Sequence, residues 1–268
     1  MNRGTKRTVV RIAPTRDGFA NPSERFPTKH TGLLSGKTCD EWWAIQSWAS
    51  KEITLSILIG ETPEHCERIK PLVEPYGVIV LCRPETMNHS SQDSGGFPTW
   101  FGFEYARKYV DNINYVIPDF VVNPLRKPDD YDRMIRAFDK KMASPNPDAV
   151  GGSRTMMSAC RTDLSYHLLD GDRLVPQYVS DIGNSRYWLA YATVATLSIS
   201  TTGFYEWMRL ITEAGSSQFF PGKPWLFEIE EWQELHMDHP DQWDLAEFWF
   251  DRKIGGIEAY RDYRKTWE

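Results

Sequence analysis

The first residues that could carry out chemistry form one basic loop near the start of the chain. Residues 13–30, APTRDGFANPSERFPTKH, follow a β-branched run and include Arg16, Arg25 and Lys29. Glycine permits tight turns, and proline removes a backbone donor and fixes φ, so this stretch cannot continue as strand or helix for long. Because the loop brings positive side chains close to exposed backbone amides, we predict that it binds an anion.

A second group of polar residues, His236-Met237-Asp238-His239, lies near the other end of the chain. Histidine and carboxylate side chains bind transition metals, but two histidines three positions apart in a loop are more often surface residues. The run from Asp238 to Asp241 also has the pattern of a helix start, a capping residue followed by proline. The residues alone leave these three interpretations open.

Composition restricts the partners of both groups. The chain has 268 residues and a net charge of −6, which argues against a general binder of nucleic acid or membrane surfaces, so the anion should be small. No apolar run approaches the roughly 18 to 20 residues of a membrane span, and the four cysteines match no zinc or redox motif. The aromatic residues, 13% of the chain, are expected in the core or in a dimer interface. We expect a soluble, cytoplasmic protein.

Strand and helix patterns alternate about four times before residue 144. Apolar, β-branched runs predict strands at 8–12, 53–60, 78–82 and 115–122. Capping residues followed by helical periodicity predict helices at 38–49, 62–77 and 98–111 and from 128 onward. Pro71 should kink or shorten the second helix, and Pro118 weakens the fourth strand. The alternation predicts an α/β, Rossmann-like fold, a mainly parallel sheet flanked by helices, with ligands beyond the carboxyl ends of the strands.

The chain is expected to form a single domain over 1–268, because its length suits one α/β unit. The pattern changes from residue 144 onward. An Asp-Gly pair between apolar residues predicts a hairpin around 169–175. Residues 150–220 are therefore interpreted as a small β-containing excursion from the sheet.

Five motifs in order along the chain carry a resemblance to a known family. They are PTRDG with RFPTKH at 14–18 and 25–30, GKTC at 36–39, RP at 83–84, NPLR at 123–126 and LHMDHPDQWDLAE at 235–247. They resemble P-A-R-G-G-S with R-I-P-x-K-N, G-K-P-L, R-P, S-P-L-R and I-D-I-D-T-P-E-D-W-E-L-A-E of the cytidylyltransferases that make CMP-activated acidic sugars, the acylneuraminate synthetase family. These enzymes have a nucleotide-diphospho-sugar transferase-like fold.

The resemblance implies a nucleotidyltransferase. An acceptor oxygen attacks the α-phosphorus of CTP, pyrophosphate leaves, and Mg²⁺ screens the charge. CTP and a small acidic acceptor are the implied partners, with no nucleic acid and no membrane. Such catalysis needs cations and amide donors at the triphosphate, because it depends on positioning and electrostatic stabilisation. The basic loop would then be a phosphate cradle.

The resemblance also assigns nucleotide contacts. Arg16 and Lys29 occupy the triphosphate-binding positions and are the predicted catalytic residues, and Gly18 would let backbone amides approach a phosphate oxygen. The other predicted nucleotide-binding residues are Pro14, Thr15, Arg25, His30, Arg83 and Ser94, with Asp93 as an alternative to Ser94. His30 replaces an asparagine that contacts cytosine. The basic residues could instead be solvated or ion-paired loop charges.

The implied metal site departs from the motif at one position. Asp238 matches the second aspartate of I-D-I-D, where a carboxylate oxygen suits Mg²⁺. His236 replaces the first aspartate. Because imidazole is a poor Mg²⁺ ligand, His236 could bind phosphate, shift the preference towards Mn²⁺, or simply pack.

The acceptor pocket resembles the family least. Phe120 stands near a glutamine that contacts the sugar, Arg126 ends the S-P-L-R motif, and Arg186 lies in a segment where an arginine could bind an acidic substrate. These three are the predicted acceptor-binding residues. The chain keeps the family's phosphate loop but lacks its sugar contacts. It is therefore predicted to transfer CMP to an acidic acceptor, either a nonulosonic-type sugar acid or a phosphonate.

Two other functions stay open. His30 is compatible with another base, which would give a sugar-phosphate nucleotidyltransferase that uses a different nucleoside triphosphate. The altered metal motif and Asp17, where the family has glycine, are compatible with a catalytically lapsed nucleotide-binding or scaffold protein. The aromatic segment 187–208 lies where family members form dimers, so the resemblance implies a homodimer.

Overall fold

The computed structural model describes residues 7–19, 28–85, 96–143, 154–162, 167–170, 173–176, 190–192, 198–201, 225–235, 237 and 239–267. The strands in this part of the chain are β1 (Thr8–Pro14), β2 (Leu55–Gly60), β3 (Val78–Cys82), β4 (Ile113–Pro118), β5 (Thr155–Thr162), β6 (His167–Asp170), β7 (Arg173–Pro176), β8 (Ala190–Ala192), β9 (Ser198–Thr201) and β10 (Trp225–Glu228). The α-helices are α1 (Cys39–Ala49), α2 (Pro63–Val73), α3 (Gly96–Tyr109), α4 (Pro128–Met142), α5 (Pro240–Trp249) and α6 (Gly256–Lys265).

One mixed sheet organises the molecule. Its strand order is β10-β5-β9-β4-β1-β2-β3, with β8 paired to β5. β1 pairs in parallel with both β2 and β4, β2 pairs in parallel with β3, and β5 pairs in parallel with β10. β9 runs antiparallel to both of its neighbours. The predicted α/β fold with a mainly parallel sheet flanked by helices is confirmed.

Helices cover both faces of the first strands, which explains why those strands consist mainly of apolar residues. On one face, α3 packs against Val10, Ile12 and Ile57. On the other, α1 and α2 pack with Ala13 and Leu58, and α4 packs with Val9. Side chains that alternate along β1 thus enter different layers of the core.

Most of the predicted elements are confirmed, with one correction. The predicted fourth strand was to run to residue 122, but β4 ends at Pro118, because proline has no N–H to donate to a ladder. The helix with Pro71 gives way after Val73 to a 3₁₀ turn at Glu74–Tyr76. The predicted hairpin is the β6–β7 pair. None of the described helices is long and apolar enough to cross a membrane.

Candidate active site

The strand order places the switch point of the sheet between β1 and β4. From β1 the chain proceeds outward through β2 to β3, and it then returns to the other side of β1 as β4. In open α/β sheets, ligands bind at such a switch point, beyond the carboxyl ends of the strands. The chain leaves the sheet there in two segments, residues 15–19 and residues 119–127. Both carry residues predicted for the site.

The two described ends of the basic loop meet in space. A Cβ on Gly18 would lie 2.9 Å from Thr31 Cγ2 and 3.1 Å from His30 Cβ, so only glycine allows this approach. The Thr31 and Gly32 N–H groups both donate to the Thr28 carbonyl, at 3.0 and 2.7 Å, which forms a tight turn around Lys29 and His30. The structure therefore brings Gly18, Lys29 and His30 together.

Helix α1 begins beside this turn. Thr38 caps it, and its hydroxyl accepts from the Glu41 N–H while the Glu41 carboxylate accepts from the Thr38 N–H, a capping box. The Cys39 thiol donates to the Lys29 carbonyl at 3.6 Å. Burial raises the pKa of the Cys39 thiol, whereas the Lys29 charge lowers it, so the ammonium lies near the start of the helix. The predicted helix start at residue 38 is therefore confirmed.

Asp40 lies in the first turn of α1 and is 3% exposed. Burial raises the pKa of its carboxyl from 3.8 to about 7, although the neighbouring Thr15 hydroxyl lowers it. Neither Asp40 Oδ1 nor Thr15 Oγ1 makes a hydrogen bond of ordinary geometry with a described residue. The sequence did not reveal this buried Asp40 carboxyl beside Thr15, the first residue after β1.

Arg16 is exposed and forms no ion pair with a described residue. Its charge still acts on Arg83, which is 11% exposed. Burial lowers the pKa of the Arg83 guanidinium, the Glu61 carboxylate raises it, and the Arg16 charge lowers it. Arg83 and Arg16 are therefore neighbours, and of the two only Arg83 has its charge balanced by an ion pair in the described chain.

Two buried carboxylates, Asp17 and Glu61, join the loops after β1, β2 and β3. Arg68 of α2 binds Asp17 Oδ1, and the Thr62 hydroxyl donates to Asp17 Oδ2 at 3.5 Å. Glu61 binds Arg83 at 2.9 Å. The charge of Asp17, which replaces a glycine of the resembled motif, is therefore neutralised by Arg68.

The loop after β4 rests on a buried ionic network. Asp119 accepts from Arg11 of β1 at 2.8 Å and from Arg126 at 2.8 Å, and all three side chains are excluded from solvent. Burial raises the pKa of the Asp119 carboxyl, but the two guanidinium groups outweigh it and hold this pKa below its usual value. The Arg11 guanidinium also stacks between the rings of Trp43 and Tyr131, 4.3 and 4.2 Å from their centroids.

This network separates two predicted acceptor residues. Phe120 is 37% exposed at the carboxyl edge of β4, whereas Arg126 lies in the core beneath the loop. The structure therefore does not bring the Arg126 guanidinium to the surface with Phe120. Neither Arg11 nor Asp119 was predicted for this region, although a charged residue within the apolar strand β1 was a visible signal.

The segment with the predicted metal ligands approaches the same edge. Met237 is buried, and its N–H donates to the Val122 carbonyl at 3.2 Å, in the loop after β4. The helix start predicted here is α5, whose N-cap is His239. Trp243 of α5 packs over Gly32, where a Cβ would lie 2.8 Å from Cη2 of the ring. The turn that ends the basic loop, at Gly32, is therefore in contact with the start of α5.

Five predicted site residues, Arg25, Ser94, Arg186, His236 and Asp238, lie outside the described residues. Within the described ranges there is no group of three or more His, Cys, Asp and Glu side chains that could hold a metal ion. Of the others, Pro14, Thr15, Arg16, Gly18, Lys29 and His30 lie in or beside the basic loop, and Arg83 follows β3.

Comparison of the structure with solved structures finds several cytidylyltransferases. A 4-diphosphocytidyl-2C-methyl-D-erythritol synthase matches with a TM-score of 0.64 and 10% identity, over 91% of this chain and 99% of that chain. A CMP:2-keto-3-deoxy-manno-octonic acid synthetase complexed with CTP matches with a TM-score of 0.58 and 13% identity, over 92% and 99%. A cytidylyltransferase from Leptospira borgpetersenii serovar Hardjo-bovis matches with a TM-score of 0.53 and 13% identity, over 97% and 93%.

The chain has the fold of these cytidylyltransferases. It is a nucleotide-diphospho-sugar transferase-like fold, as the sequence motifs predicted. No model of a known protein family matches the chain, and no curated protein does. At 10 to 13% identity the likeness establishes the fold, while the activity has to be argued from the site residues.

Proposed function

We propose that this protein is a cytidylyltransferase that transfers CMP from CTP to a small acidic acceptor and releases pyrophosphate. One observation carries the proposal: the contact of Gly18 with His30 and Thr31 closes a basic loop at the carboxyl end of β1. This is the switch point of a fold shared with CTP-using enzymes along nearly its whole length.

In the proposed reaction, an acceptor oxygen forms a bond to the α-phosphorus of CTP as the bond from that phosphorus to the bridging oxygen of the β-phosphate breaks. The leaving pyrophosphate takes the electron pair. Arg16 and Lys29 bind and stabilise the charge that develops on the phosphate oxygens. Gly18 lets the two ends of the loop approach each other, because a side chain there would collide with Thr31, and its backbone N–H is the proposed donor to a phosphate oxygen.

The base and ribose are assigned to His30, Arg83, Arg25 and Ser94. An imidazole both donates and accepts hydrogen bonds, so His30 can pair with a cytosine edge. Arg83 donates from a position beside Arg16, which fits binding of the ribose or the base next to the triphosphate. Pro14 and Thr15 supply the backbone at the end of β1.

Mg²⁺, or Mn²⁺ in its place, is the proposed metal, with Asp238 as the main protein ligand and His236 beside it. Mg²⁺ normally takes one or two protein carboxylates together with substrate phosphate oxygens, so a cage of protein ligands is not required. The backbone bond from Met237 to Val122 fits this assignment, because it holds the intervening residue at the carboxyl edge of β4. The metal would neutralise charge on the triphosphate.

The proposed acceptor is a nonulosonic-type sugar acid or a phosphonate, held by Phe120 and Arg186, with Arg126 supporting the loop from below through Asp119. We also propose a single cytidylyltransferase domain in which residues 150–220 form the dimerisation or acceptor-binding excursion of a homodimer. All four cysteines are free, which fits a cytoplasmic location.

A pyrophosphate-release screen tests the proposal. It crosses CTP, UTP, ATP and GTP with sialic-type acids, Kdo-type acids and small phosphonates, in MgCl₂ and in MnCl₂. We expect release with CTP and one acid class, and sharply reduced release in Arg16→Ala and Lys29→Ala. Release with another nucleotide would favour the sugar-phosphate alternative, and nucleotide binding without release for any acceptor would favour a lapsed protein.

A further inference from the structure

Glu61 occupies a position that connects two predicted subsites. It directly follows β2, and the register Gly60↔Cys82 puts it beside Arg83, the residue that directly follows β3. One carboxylate oxygen, Oε1, binds the Arg83 guanidinium at 2.9 Å. The other, Oε2, accepts from the Asp17 backbone N–H at 2.8 Å. One side chain therefore links the basic loop to the arginine assigned to the base or ribose.

The backbone at Glu61 is itself held in place. Its N–H donates to His65 Nδ1 at 3.2 Å, and the Arg83 N–H donates to the Gly60 carbonyl at 3.1 Å. Burial lowers the pKa of His65, so the imidazole is neutral and Nδ1 is free to accept this bond. The Glu61 carboxylate thus projects from a fixed point.

A carboxylate in this place needs a physical reason. The Glu61 side chain is 6% exposed, and ionised groups are buried only when they are paired and hydrogen-bonded. A negative charge next to a polyphosphate site is also unfavourable in itself. Because Arg83 neutralises Glu61 and Arg68 neutralises Asp17, the two ion pairs together carry no net charge. Glu61 can therefore hold Arg83 and the Asp17 backbone in place without adding a net negative charge that would repel a polyphosphate.

We propose that Glu61 is a positioning residue for the nucleotide, which fixes the Arg83 guanidinium relative to the backbone of the triphosphate loop. This inference rests on the proposed function, because the spacing it sets is that between the base-ribose end and the phosphate end of a nucleotide. Glu61 acts through Arg83 and Asp17 and does not contact the nucleotide. Loss of the Glu61 carboxylate therefore weakens nucleotide binding and reduces the preference for CTP over other nucleotides.

Glu61→Gln is the variant that tests this role, because it keeps the size of the side chain and removes its charge. Glu52→Gln is the matched control, since Glu52 is also partly buried and paired with arginine, at 3.5 Å from Arg7, but precedes β2 at the opposite edge of the sheet. Titration calorimetry with CTP and with UTP in MgCl₂ gives the two affinities. We expect Glu61→Gln to raise the Kd for CTP about tenfold, the effect of losing one charge-assisted contact, and to narrow the CTP-to-UTP ratio. The control should match wild type.

A double-mutant cycle separates positioning from a general effect on folding. If Glu61 acts through Arg83, Glu61→Gln adds less than twofold to the Kd in an Arg83→Ala background. The inference would be overturned if Glu61→Gln raised the Kd for CTP by the same factor in the wild-type and Arg83→Ala backgrounds. It would also be overturned if Glu61→Gln left the Kd of the otherwise wild-type protein unchanged. If Glu61→Gln does not fold, Glu61→Asp takes its place, because the shorter carboxylate cannot reach both partners. A wild-type protein that binds none of the four nucleotides would refute the proposed function as well, and so differs from failure of this inference alone.

Discussion

Asp40 makes the stability of this protein depend on pH in a direction opposite to that of a salt-bridged carboxylate. Burial raises the pKa of Asp40 from 3.8 to about 7. Between these two values the folded protein keeps a proton that the unfolded chain has released. Stability falls with pH wherever the folded state binds more protons. The free energy of unfolding should therefore decrease by about 1.4 kcal/mol per pH unit, or about 4 kcal/mol over the whole interval.

Asp40→Asn removes this ionisation while preserving the shape of the side chain. The quantity to compare is the difference in unfolding free energy between the variant and wild type, from urea titrations followed by tryptophan fluorescence at pH 5, 6, 7 and 8. From pH 5 to 7 the difference should shift by about 3 kcal/mol in favour of the variant and then level off. The chain has 11 tryptophans, several of them buried, so their fluorescence follows the unfolding of the whole protein.

Thr15→Val gives a second test of the same reasoning. The Thr15 hydroxyl lowers the pKa of Asp40, so its removal should raise this pKa further and extend the loss of stability to higher pH. Wild-type and Asp40→Asn curves that run parallel from pH 5 to 8 would refute the account, because they would mean that the buried carboxyl ionises as it does in the unfolded chain.

The remaining predictions concern the loop and the network beneath it. Arg16→Ala and Lys29→Ala should each lower the rate of pyrophosphate release by about 10² or more, and near wild-type turnover would remove that residue from the mechanism. Gly18→Val should destabilise the fold by about 1–3 kcal/mol in urea unfolding, because the new Cβ would lie 2.9 Å from Thr31; an unchanged midpoint would contradict the close contact. Asp119→Asn should cost about 3–5 kcal/mol, because it leaves two buried guanidinium groups without their anion, and a loss below about 1 kcal/mol would speak against the network.

Much of the fold could be predicted because its strongest signals are local. The first strands are covered on both faces and therefore appear as mainly apolar runs, and α1 and α2 begin with recognisable caps, Thr38 and Thr62. The error at β4 has the same origin. Val121 and Val122 are apolar and buried, but they pack against the α1 core from a loop, since Pro118 has already ended the strand. Burial alone does not distinguish a loop from a strand.

The site could be predicted only where chemistry and sequence proximity coincide. Arg16 and Gly18 lie within one short loop, so their types and spacing were enough to suggest the phosphate-binding role that we propose for it. The pairing of Arg11 with Asp119 spans 108 positions and depends on the β1–β4 register, which no local pattern specifies. A role for Glu61 could have been predicted from the sequence, because a charged residue directly after a buried strand lies at the edge of the sheet where ligands bind. Its link to Arg83 required the register of β2 and β3.

Asp17 is the clearest departure from the resembled motif, and its surroundings explain how the proposed phosphate loop can contain a carboxylate. The residue is 1% exposed, and its charge is paired with Arg68, whereas the adjacent Arg16 is exposed. A charge pair acts as a dipole, so its field falls off more steeply with distance than that of a single charge. Pairing with Arg68 of α2 therefore weakens the field of the Asp17 carboxylate at Arg16 and Lys29, the two residues proposed to bind the polyphosphate. The carboxylate that replaces glycine is thus compatible with the proposed phosphate loop.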